Sequence, residues 1–64
     1  MYTKSKLAEI AGIKVNYIDL LENNGLIEPI ISSNSHTKFY SSEQLTKIRK
    51  ILLLEEMGFS LMAI

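Results

Sequence analysis

The chain has 64 residues, seven basic and seven acidic side chains, no net charge and no cysteine. So short a chain makes one domain with a core near the lower limit for independent folding, and it has neither a disulfide nor a thiolate zinc site to support it. No apolar run is long enough to cross a membrane, and Met1 to Gly12 already carries helical periodicity and charge, which argues against a signal peptide, so a cytoplasmic protein is expected.

In chain order, Thr3 is placed to N-cap a first helix over residues 4–11. Leu7, Ala8 and Ala11 share one face of it, and the small Ala8 permits a close helix crossing. Gly12 stands where the chain must turn with φ above zero. Ile13 plugs the corner. A second helix over residues 15–24 returns Ile18 and Leu21 to the same core and stops at Gly25. This register predicts a helix-turn-helix over residues 4–24, whose second helix projects outward and can enter a DNA major groove. Leu26 and Ile27 lead back to the core, and Pro29 forbids a continuing helix. Residues 30–40 read as two short strands around a polar loop, a two-stranded β-wing. Ser41 and Gln44 have the spacing of a capping box, so a third helix is expected over residues 42–57, ended by Gly58. Ser60 would cap a fourth helix beginning over residues 60–64. The expected fold is mainly α, a winged helix-turn-helix.

The predicted core is Leu7, Ile10, Ile13, Ile18, Leu21, Leu26, Phe39, Leu45, Ile48 and Leu52, with Ile51 beside the stripe of the third helix. Leu53, Leu54 and Met57 lie largely off that stripe. They are expected to be partly exposed, or covered by a partner or a further segment. The outward face of the second helix carries Asn16, Asp19 and Asn23, with Tyr17 and Leu20 at its margin. Asn16 has the amide that reads an adenine edge, and Asp19 can accept from a cytosine amino group. A carboxylate near phosphates is repulsive, and Lys14 at the helix start offsets part of this. Lys4, Lys6, Lys14 and Lys38 gather in the first two-thirds of the chain, although zero net charge counts against strong nonspecific attraction to DNA. His36 stands alone in the loop and cannot make a metal site. No serine or glutamate is grouped with a histidine or cysteine for catalysis, and there is no glycine-rich phosphate loop. No enzymatic activity and no cofactor are expected.

The order of these elements, with Leu7-Ala8, Ala11-Gly12, Glu22, Gly25-Leu26-Ile27-Glu28-Pro29, Lys38-Phe39-Tyr40-Ser41, Ile48-Arg49 and Met57-Gly58-Phe59-Ser60-Leu61, resembles the N-terminal DNA-binding domain of the MerR family of bacterial transcription regulators. The similarity runs from Tyr2 to Ile64. It implies a regulator that binds double-stranded DNA, as a homodimer formed through residues beyond this chain. It also implies that Lys38 is a basic wing residue on phosphate, and that Tyr40 packs its ring on the wing with a hydroxyl able to reach the DNA backbone. The candidate DNA-binding residues are therefore Lys14, Asn16, Tyr17, Asp19, Lys38 and Tyr40. The chain departs from the family at Asn16 and Asp19, where arginines are usual, and at Leu20 and Leu21, where aromatics are usual. Two other functions fit the residues. One is an excisionase-like DNA-bending module, which the Gly58-Phe59-Ser60-Leu61 tail disfavours. The other is a protein-interaction module that has lost its DNA surface.

Overall fold

The computed structural model describes residues 1–34 and 36–59. Its elements are β1 (Tyr2–Thr3), α1 (Lys4–Ala11), α2 (Val15–Asn23), β2 (Ile30–Ile31), β3 (Lys38–Tyr40) and α3 (Ser42–Glu56). The expected fourth helix over residues 60–64 lies outside the described residues.

The helix boundaries follow from their end residues. The Thr3 hydroxyl accepts the Lys6 amide at 3.2 Å, satisfying one of the donors a helix start leaves open. Gly12 takes φ +73°, which lets its own amide reach the Glu9 carbonyl and the Ile13 amide reach the Ala8 carbonyl. The same pair of bonds recurs after α2, from Gly25 to Glu22 and from Leu26 to Leu21, and after α3, from Gly58 to Glu55 and from Phe59 to Leu54. Each turn therefore ends its helix and redirects the next apolar residue at once.

One expectation about α3 is corrected. Ser41 occupies the N-cap position, but its side chain makes no capping bond. The Gln44 amide instead donates to the Ser41 carbonyl at 3.0 Å. The Gln44 side chain is buried, and its Oε1 accepts the Glu28 amide at 3.0 Å. Gln44 thus ties α3 to the segment before Pro29, a task that a buried amide performs and a reciprocal capping box would forgo.

The wing is also larger than expected. β3 pairs antiparallel with β2, as Ile30 with Phe39 and Ile31 with Lys38, and on its other side with β1, as Tyr2 with Tyr40 and Thr3 with Phe39. The sheet has three strands in the order β1-β3-β2, so the N-terminus anchors the wing. A two-residue strand is too short to leave an alternation in the sequence.

The core holds Leu7, Ala8, Ile18, Leu21, Ile27, Tyr40, Leu45, Ile48 and Ile51. Ile13, Leu26 and Leu52 pack against it, partly buried. Ile10 is corrected: it is 37% exposed. On α1 it lies across Leu7 from Ala8 and Ala11, so it misses the face they share. Phe39 is only partly buried, and its neighbour Tyr40 takes the enclosed place. Successive strand residues point to opposite sides, so only one of the two can face inward.

Candidate nucleic-acid interface

The outer surface of α2 begins at Lys14, the N-cap residue, which is exposed and makes no ion pair among the described residues. Asn16 and Asn23 are exposed on the same helix. Among the described residues these three side chains make no hydrogen bond or ion pair.

The flank of α2 toward the wing is different. Asp19 and Glu22, one helical turn apart, share this side. Lys4 of α1 reaches Asp19 Oδ1 at 2.5 Å. Lys38 Nζ of β3 donates to Glu22 Oε2 at 2.6 Å, and the Tyr40 hydroxyl donates to Glu22 Oε1 at 2.5 Å. Lys38 and Tyr40 are alternate residues of one strand, so both meet the same carboxylate. Burial works against the charge of Glu22. The hydrogen bonds from Lys38 and Tyr40, with the charges of Lys38 and Lys4, outweigh that and hold its carboxyl below the usual range. Tyr40 answers in the other direction: burial, then the hydrogen bond to Glu22, push its phenol well above the usual value. Two lysines and two carboxylates thus form a neutral cluster closed by a phenol.

On its other flank α2 faces the end of α3. The Tyr17 hydroxyl donates to the Glu55 carboxylate. Burial, then that hydrogen bond and the Glu55 charge, push the Tyr17 phenol up to about 12. An open, mostly apolar hollow of about 490 Å³ lies here, lined by Ile13, Lys14, Asn16, Tyr17, Leu20, Leu52 and Glu55.

The six residues singled out in the sequence therefore fall into three settings. Lys14 and Asn16 are open to solvent. Tyr17, Asp19 and Lys38 are partly buried and already have partners on Glu55, Lys4 and Glu22. Tyr40 is fully enclosed, and its hydroxyl faces Glu22. Sequence reasoning counted Lys4 among the clustered lysines and Glu22 among the residues that carry the resemblance, but gave neither a partner, and it did not single out Glu55. The one legible signal was spacing: Asp19 with Glu22 on a helix, and Lys38 with Tyr40 on a strand.

A family model described as MerR HTH family regulatory protein matches residues 2–64. No match was found among curated proteins or among solved structures.

Proposed function

The chain belongs to the MerR helix-turn-helix family of regulatory proteins, and from that premise we propose how it meets double-stranded DNA. The family makes it a DNA-binding regulatory domain. In our reading α2 enters the major groove and the wing lies on the phosphate backbone. Lys14 and Lys38 hold phosphates, which positions the domain without reading sequence. Asn16 and Tyr17 face base edges, and Asp19 accepts from a cytosine amino group. Tyr40 supports Lys38 from inside the wing. Two copies join through residues beyond Ile64, and the protein acts in the cytoplasm without catalysing a reaction. The carrying observation is the solvent-open Lys14 and Asn16 at the start of a helix that a glycine turn projects from the core. Among the described residues no helix is long and apolar enough to cross a membrane.

Salt-dependent titration of duplex DNA tests this. Lys14→Ala and Lys38→Ala should each weaken binding about equally on every sequence and lower the salt slope by about 1. Asn16→Ala should instead relax preference at one base pair, by about 1–3 kcal/mol. Asp19→Arg should strengthen binding by adding a cation where a carboxylate stood. If a covalently joined pair of domains shows no affinity at low salt, and Asp19→Arg restores none, the protein-interaction reading replaces this one.

A further inference from the structure

We propose that Glu22 is a positioning residue for the wing, holding Lys38 against α2 so that helix and wing cation meet DNA as one preset unit. The inference rests on the reading of Lys38 as a phosphate contact.

Apolar packing gives the outer wing little to hold it. Ile30 and Ile31 of β2 are both exposed, and the connecting loop is exposed at Ser33, Asn34, His36 and Thr37. Beside the Tyr40 ring in the core, the polar link from β3 to α2 among the described residues passes through one carboxylate, with Lys38 on one oxygen and Tyr40 on the other. Tyr40 is fixed by the core, so it fixes Glu22, and Glu22 fixes the lysine tip. The ammonium has three protons. One goes to Glu22, and two remain for a phosphate approaching its exposed side. The Lys4 charge also favours the Glu22 carboxylate, but the Lys4 ammonium itself sits on Asp19 at 2.5 Å, so the hydrogen bond that aligns Lys38 falls to Glu22.

This role inverts the ordinary expectation for an acid near DNA. Removing a negative charge from such a surface should strengthen binding by charge alone. Removing a positioning carboxylate should weaken it.

Binding of the 64-residue chain to a random-sequence duplex at low salt, read by fluorescence anisotropy, decides between them. Glu22→Ala should weaken binding about tenfold, and Glu22→Gln, which keeps an acceptor oxygen, should stay within about threefold. In a Lys38→Ala background Glu22→Ala should have no further effect. Hydrogen exchange at the Ser32 amide, which bonds across the wing to the Thr37 carbonyl, should quicken in Glu22→Ala and not in Glu22→Gln. If Glu22→Ala fails to fold, Glu22→Asp serves, because its shorter arm keeps the charge and withdraws the carboxylate. Equal or tighter binding by the Ala or Asp variant overturns the proposal, as does equal weakening in the Lys38→Ala background. A wild-type chain that binds no DNA overturns the reading of Lys38 and this proposal with it. The exchange comparison needs no DNA and separates that failure from the absence of a fixed wing.

Discussion

Ile18 is wholly enclosed among Leu7, Leu21, Tyr40 and Ile48 in the core cluster. Ile18→Ala should cost about 2–5 kcal/mol, the removed methylenes plus the cavity they leave. Urea unfolding measures it, and a loss below about 0.5 kcal/mol would place Ile18 at a surface. At this scale the sequence was legible wherever periodicity alone decides burial, as at Leu7, Ile18, Leu21 and Ile48. It was misleading where two adjacent candidates compete for one inward place. Phe39 is the more apolar, yet Tyr40 is enclosed, because Glu22 supplies an acceptor for its hydroxyl. That acceptor comes from 18 residues away, and no local pattern announces it. Gln44 escaped for the same reason, since its partner is the Glu28 amide in another segment.

The three described helices and the glycine turns after them were legible, because each is set by its own few residues, whereas the capping box expected at Ser41 and Gln44 does not form. Gly25 takes φ +72° with open space where a side chain would stand, so Gly25→Ala tests backbone strain without steric clash. It should destabilise by about 1–2 kcal/mol, seen as a lower urea midpoint with unchanged slope. The joints between elements carry the pH dependence. The Glu22 carboxyl lies below its ordinary 4.5 in the folded chain. Its stabilisation is therefore complete above that value and lost as the pH falls through the folded one. Tyr17 acts at the other extreme. Its phenol is raised from 10.0 to about 12, so its contribution is whole below pH 10 and disappears as the pH climbs through about 12. Thermal unfolding across pH should show a plateau falling at both ends, and Glu22→Gln should flatten the acid side. The wing was half legible: the Pro29 break and the polar loop mark out β2 and β3, while β1 has no such flanking signal and exists only through its partner.

For the molecule as a whole, α3 and the turn after it keep an apolar surface left exposed among the described residues. Leu53 is 56% exposed and Met57 64%, one turn apart, with Phe59 exposed beyond them, while Leu54 is partly covered. Sedimentation velocity at rising concentration should show weak self-association, and Leu53→Glu should abolish it while leaving the helix content by circular dichroism intact. A single monomeric species at every concentration would remove the case for a second copy on this face. The contact between Tyr17 and Glu55 has a different consequence. A phenolic oxygen carries one proton. In Tyr17 that proton is committed to Glu55, so whatever approaches the ring from outside finds lone pairs alone. A phosphate oxygen is turned away there, whereas the amino group of an adenine or a cytosine is welcome. In the docking proposed above, Glu55, on a helix outside the groove, would thereby decide the polarity of what Tyr17 can recognise.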